Sequence, residues 1–218
     1  LKYVKDKVIL PSVQRSERER FTGGYVRTPI PQLYENIAVL DMKSLYPSII
    51  IGLNMSPETL DKNGEIKLDD FKFKKEPGII PSIIKPLLER RTKISKQMEE
   101  LDKRTREYKT LWITQYALKI IANSFYGIMG SPAFRLYKKD VAQAITYTAK
   151  KIILEVGNRF EKMNYEIIYG DTDSCFIKMT DKTIDDVKDD VGIINKEFKE
   201  YFKQFGVEEK NNIFKLEF

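Results

Sequence analysis

The sequence predicts an α+β fold: an antiparallel sheet backed by helices, with two antiparallel helices set between its strands. Three observations predict it. An apolar run over residues 37–40 ends on Asp41 and reads as a buried strand that delivers a carboxylate to an edge. Residues 165–169 and 175–179 read as two further strands, joined by the turn-forming Gly170, Asp171, Thr172 and Asp173. Between these regions Ile94, Met98 and Leu101, then Leu111, Ile113, Leu118 and Ile121, recur at helical spacing on two segments.

In chain order, residues 1–20 are charged and mixed, an arm or leading strand, and 1–40 forms the amino-terminal segment of the sheet unit. Asp61, Lys62, Asn63 and Gly64 spell a turn, and Pro77, Gly78 and Pro81 mark the passage from the first sheet part, 41–80, to the helical insert, 81–130. Ser82 or a neighbour is placed to cap the first of these helices, with Pro86 tolerated in its first turn. On the second, Lys119, Asn123 and Tyr126 stand at i, i+4 and i+7 and share a face. The second sheet part, 131–218, opens with a helix over 142–160 whose Ile145, Ala149, Ile152, Ile153 and Val156 turn toward the hairpin. The acidic stretch 181–190 suits an exposed turn and helix start better than a metal site. An amphipathic helix over 193–205 and a strand over 213–218 complete the chain.

Composition narrows the chemistry. Lys and Arg total 38 against 32 acidic residues, a net charge of +6 compatible with a nucleic-acid partner. The span 85–109 concentrates nine basic and five acidic residues on the first helix of the insert, where salt-sensitive phosphate contacts are expected. With one cysteine and no histidine, zinc fingers, imidazole acid–base catalysis and a disulfide framework drop out, and Cys175 reads as a buried strand residue. No run approaches the roughly 20 apolar residues of a membrane span. A soluble, intracellular protein is expected.

The candidate site residues follow from the same elements. Where the chain stays extended, Asp171 and Asp173 face one side and Thr172 the other. Together with Asp41 they offer the oxygen ligands that magnesium takes beside substrate phosphates. Lys119 suits phosphate oxygens as a point charge, Asn123 can hydrogen-bond, Tyr126 offers a flat face to a base or sugar, and Gly127 permits close approach. Each feature alone has a plain structural reading, since an isolated Asp-x-Asp is commonly a turn. Their joint order favours a site.

Three strings carry a family resemblance: DMKSLYPSII from Asp41, KIIANSFYG from Lys119 and YGDTDS from Tyr169. They resemble polymerase motifs A, B and C of the family B DNA polymerases. FTGGYV from Phe21, MSPETL from Met55 and IIPSIIKPLLERR from Ile79 extend the resemblance over nearly all of the chain beyond Phe21. The resemblance implies a palm, in parts 41–80 and 131–218, and an inserted two-helix fingers subdomain over 81–130. It implies two Mg2+ ions, for which Mn2+ can substitute, held by Asp41 and Asp173, with Asp171 as a further contributor and the Met42 carbonyl adding an oxygen. Ser44 and Leu45 would offer backbone amides to a deoxynucleoside triphosphate, Tyr46 would lie under its sugar, and Arg91 and Lys119 would grip its phosphates. Asn123 and Tyr126 would flank the nascent base pair, with Gly23, Gly24, Tyr126 and Gly127 toward primer–template DNA. The implied catalytic set is Asp41, Asp171, Asp173 and Lys119.

Two departures stand out. One helical turn beyond Arg91, where many family members carry a phosphate-contacting lysine, this chain has Ser95, with Lys93 and Lys96 beside it. The chain also stops at FKLEF, before the primer-holding K-K-x-Y segment and thumb, and no exonuclease motifs precede the palm. The expectation is therefore template-directed DNA synthesis by a palm–fingers fragment or split subunit, without proofreading, that works with a missing region or second polypeptide carrying thumb and exonuclease. The expected setting is the cytoplasm or nucleoid of a prokaryotic or virus-infected cell. A noncatalytic nucleic-acid-binding subunit is the alternative. A protein-primed polymerase or primase-like activity is a weaker one, because the insertions of protein-primed members are not evident in the short segment 52–80.

Overall fold

A computed structural model describes Ser12 and residues 23–218. The arm expected over 1–20 lies, apart from Ser12, outside the described residues. Five strands form an antiparallel sheet in the order β1 (Val26–Arg27), β5 (Glu166–Asp171), β6 (Ser174–Lys178), β2 (Ile37–Met42), β7 (Leu216–Glu217). The α+β architecture expected from the sequence is present.

Strand alternation decides which side of the sheet is the core. In β2, Ala38, Leu40 and Met42 are buried, while Val39 and Asp41 face the other way. Helix α4 (Lys139–Lys162) covers the buried face with Ile145, Ala149, Ile152, Ile153 and Val156, the stripe read from the sequence, and packs on β5 and β6. Cys175 is buried on that face.

Helix α1 (Leu45–Gly52), which follows β2, was not foreseen. Its LYPSIIIG sequence holds Pro47 and three consecutive β-branched residues, a poor local case for helix. All of its residues but Tyr46 are buried, with the helices over Ile79–Glu99 and Arg106–Gly130 and α4 packed around it, and that burial overrides propensity. A two-stranded ribbon of β3 (Ile66–Leu68) and β4 (Phe71–Phe73) also went unread, although Ile66, Leu68 and Phe73 alternate inward.

The helical insert is a pair, α2 (Ile79–Glu99) and α3 (Arg106–Gly130), packed against each other. The expected cap is corrected here. Ser82 lies inside α2, its N–H bonded to the Gly78 carbonyl, and Pro86 is a helix-interior residue rather than a first-turn one. The true start is supplied by a distant loop. Asn54 Oδ1 accepts from Gly78 N–H (2.8 Å), Glu58 Oε1 from Ile79 N–H (2.5 Å) and Ser56 Oγ from Ile80 N–H (3.3 Å), while Pro81 has no N–H to satisfy. Buried Asn54 also donates to the carbonyls of Lys74 and Glu76, pinning the same corner.

Of the insert's apolar stripes, Ile94 and Leu118 are buried, but Ile113 and Ile121 face solvent, because a helix pair buries only the facing sides. The basic run 85–109 spreads over α2, its connection and the start of α3 rather than over one helix. The last helix, α5 (Ile184–Lys203), starts nine residues before the expected position, at a capping box of Thr183 and Asp186. The acidic stretch 181–190 is thus a helix start, as read. Only Leu216–Glu217 of the expected final strand pairs, beside β2.

Candidate active site

The site grows from where β2 ends. Asp41 stands opposite Ser174 of β6 on one side and Glu217 of β7 on the other, on the face away from the α4 core. Met42 N–H donates to the Asp173 carbonyl at 2.8 Å, so the hairpin tip is hydrogen-bonded directly to the end of β2. This contact brings the second carboxylate to the first.

The tip is not extended, and the expected alternation of Asp171, Thr172 and Asp173 is corrected. Thr172 has φ 54°, Asp173 N–H donates to the Asp171 carbonyl at 2.6 Å, and Thr172 N–H donates to the Tyr25 carbonyl at 2.8 Å. Asp173 and Thr172 line the cleft and Asp171 does not. Asp171 ends β5, which is separated from β2 by β6; two strand spacings put the Asp41 and Asp171 backbones roughly 10 Å apart. Its carboxylate accepts from Thr172 Oγ1 (2.8 Å) and, at 3.4 Å, from the Tyr169 hydroxyl. Among the described residues, no three His, Cys, Asp or Glu side chains gather as a metal-binding group.

The remaining walls come from α1, α2 and α3. A cleft of about 340 Å³ is bounded by Asp41 and Asp173, by Ser44, Leu45 and Tyr46 at the start of α1, by Arg91 of α2, and by Lys119, Asn123 and Tyr126 on one face of α3. Ser44 holds a left-handed conformation (φ 50°, ψ 50°), uncommon for a residue with a side chain, which turns the chain from β2 into α1. Its Oγ accepts from Arg91 Nη1 at 2.9 Å, and Gln115 Oε1 accepts from Arg91 Nε at 3.3 Å. Tyr46 and Tyr126 pack with ring centroids 4.6 Å apart.

Electrostatics follow from this crowding. Burial, then the charge of Asp173, raises the Asp41 carboxyl to about 6, although Lys119 pulls the other way. Burial likewise raises Asp173, and burial and its neighbours push the Tyr46 hydroxyl to about 12. The charge of Asp173 raises Asp41 and that of Asp171 raises Asp173, a crowding of carboxylates that a cation relieves. Hard divalent ions take one or two carboxylates plus phosphate oxygens, so the donor set fits magnesium without a third acidic side chain.

Sequence reading missed four lining residues or supports: Lys43, Thr172, Glu217 and Gln115. Glu217 lines the cleft and pairs with Lys43 (2.8 Å) and Lys215 (3.0 Å). Nothing local in the final strand marks it, because its relevance comes from strand pairing with Asp41. The three DNA-directed glycines also differ. A Cβ on Gly23 or Gly127 meets nothing within 4 Å, whereas one on Gly24 would meet Thr172 Oγ1 at 2.5 Å. Gly24 is required for close approach to the hairpin tip.

With the geometry in place, similarity to known proteins is decisive: the pattern of DNA polymerase family B matches residues 2–216. The chain belongs to DNA polymerase family B. It is 38% identical over 195 residues to the DNA polymerase of Thermococcus gorgonarius, covering 84% of this chain and 24% of that one. It is 35% identical over 212 residues to DNA polymerase 2 of Aeropyrum pernix, covering 91% of this chain and 26% of that one. The structure of the family B DNA polymerase from the hyperthermophilic archaeon Pyrobaculum calidifontis superposes with a TM-score of 0.72 and 30% identity, over 99% of this chain and 27% of that chain. This family B chain therefore spans about a quarter of the length of these relatives. No helix among its described residues is long and apolar enough to cross a membrane.

Proposed function

We propose that the chain carries the nucleotidyl-transfer site of a DNA-directed DNA polymerase: a primer 3′-hydroxyl attacks the α-phosphate of a deoxynucleoside triphosphate and pyrophosphate leaves. One observation carries the reading. Residues from all three motif strings, with Arg91, converge on one cleft that has carboxylates on its sheet side and cations on its helical side.

Asp41 and Asp173 are the residues that would hold two Mg2+ ions, with the Met42 carbonyl as an added oxygen. When bound, such ions make the attacking oxygen more nucleophilic and offset charge on the leaving oxygen. The chain's own groups do the rest. Arg91 and Lys119 neutralise the distal phosphates, and Ser44 and Leu45, where β2 turns into α1, offer backbone amides to them. Tyr46, packed on Tyr126, forms a floor under the sugar that excludes a 2′-hydroxyl. Asn123 and Tyr126 border the nascent base pair. Asp171 braces Thr172 at the hairpin tip and is the further contributor beside Asp41 and Asp173, its charge acting on Asp173. Template pairing selects the base.

Primer extension by the purified chain with magnesium and four deoxynucleotides, beside Asp173→Ala, tests the reading. Extension that falls at least ~100-fold in the variant supports it. Absent extension, with magnesium-dependent triphosphate binding that the variant loses, supports the same site in need of a DNA-holding partner. Equal extension by both proteins, or no triphosphate binding by either, overturns the assignment.

A further inference from the structure

Beside the cleft lies a second cavity, larger, at about 440 Å³, with a mostly apolar wall and basic residues around it, of which Lys93, Lys96 and Lys210 are exposed. Six basic side chains line it, Lys43, Lys85, Arg91, Lys93, Lys96 and Lys210, against one carboxylate, Glu89. Lys43, Ser44 and Arg91 line both this cavity and the nucleotide cleft, so a single wall separates them. The wall is closed by the hydrogen bond from Arg91 Nη1 to Ser44 Oγ.

The helical register explains the division. Lys85, Glu89, Thr92, Lys93 and Lys96 recur three or four apart and form one face of α2, which turns to the cavity, while Arg91 and Ser95 lie on the adjacent face. The two lysines flanking Ser95 thus belong to the second cavity. Part of its charge is uncompensated. Lys43 and Lys210 pair with Glu217 and Glu208, but Lys85 Nζ is held by neutral oxygens, the Lys210 carbonyl and Asn211 Oδ1. Lys93 and Lys96 make no ion pair with any described residue, and Arg91 donates only to neutral oxygens. A concave site with several unpaired cations concentrates small multivalent anions.

We propose that this cavity is a separate binding site for inorganic pyrophosphate, which receives the leaving group from the cleft across the Arg91–Ser44 wall. The proposal rests on the polymerase reading for the source of the anion, not for the existence of the site. Pyrophosphate is released at the triphosphate's distal end, where Arg91 stands, and the cavity opens on the other side of that residue. Lys93 and Lys96 then do for the product what their position denies them for the substrate.

Calorimetric titration of the full chain with inorganic pyrophosphate, alone and with saturating dATP, tests this on wild type, on the Lys93→Ala, Lys96→Ala double variant and on Lys119→Ala. The expected result is pyrophosphate binding that survives saturating dATP. It should weaken at least ~10-fold in the double variant, while dATP affinity in that variant stays within about twofold. Lys119→Ala should show the opposite pattern. Complete displacement of pyrophosphate by dATP, an unchanged affinity in the double variant, or displacement by a short single-stranded oligonucleotide in preference to pyrophosphate overturns the inference. If no protein binds dATP yet the double variant still loses pyrophosphate, the polymerase reading falls and the anion site stands. If only Lys119→Ala has an effect, and on dATP, the reverse holds.

Discussion

Replacing Gly24 by alanine probes how the hairpin of the candidate site is held. Gly24 does not have a left-handed backbone, so alanine is compatible with its conformation and any cost is steric. The new methyl would lie 2.5 Å from Thr172 Oγ1 and 3.2 Å from Thr172 Cγ2, the first about 0.9 Å short of ordinary contact. Thr172 cannot easily retreat. Its φ is 54°, its N–H is bonded to the Tyr25 carbonyl at 2.8 Å, and its Oγ1 donates to Asp171 at 2.8 Å. Overpacking of this kind costs ~1–3 kcal/mol. Thr172→Ala removes the two closest atoms and leaves Cβ at 3.3 Å, a tight but tolerable contact. The double variant should therefore recover most of the loss, with a coupling energy of ~1–2 kcal/mol in a double-mutant cycle read by urea unfolding. Nucleotide incorporation should fall and recover in parallel, because Asp173 sits on the same tip. A Gly24→Ala protein within ~0.5 kcal/mol of wild type, or a double variant no more stable than the single, would refute the reasoning.

Three further outcomes follow from other parts of the molecule. Tyr46→Val removes the ring that packs on Tyr126 at 4.6 Å, and should raise ribonucleotide relative to deoxynucleotide incorporation at least ~10-fold in a paired-substrate extension assay. Cys175, whose thiol burial pushes up to about 12, should resist iodoacetamide at pH 8 in the folded protein and react at the ordinary rate once urea unfolds the chain. Asp69 accepts from Lys151 (2.7 Å) and Tyr147 (2.5 Å), and the Lys151 bond, then the Tyr147 bond, lowers its carboxyl below the ordinary 3.8. Its stabilising effect is full above pH 3.8 and is lost as pH falls through the lowered value. The difference in unfolding midpoint between wild type and Asp69→Asn should shrink toward zero over that window, and a constant difference down to pH 2 would contradict the assignment.

Much of the site was legible in the chain itself because its chemistry is written in local strings. An apolar run ending on Asp41, a turn holding Asp173, and Lys119, Asn123 and Tyr126 on one helical face are all short-range patterns, and period alone puts Asp41 and the three helical residues on the right side of their elements. The buried face of α4 was legible for the same reason. Tertiary structure decided whatever depends on which elements meet. Strand order placed Asp171 two strands from Asp41, and the left-handed Thr172 replaced the expected alternation with a turn. Pairing of β7 with β2 brought Glu217 to Asp41, and a loop around Asn54, Ser56 and Glu58 moved the start of α2 ahead of Ser82. Burial of all but Tyr46 made a helix of a segment whose residues locally disfavour one. Periodicity reports the direction a side chain takes from its own backbone. Neighbours across a sheet, the desolvation that raises Asp41, and the wall dividing two cavities exist only once distant segments are packed together.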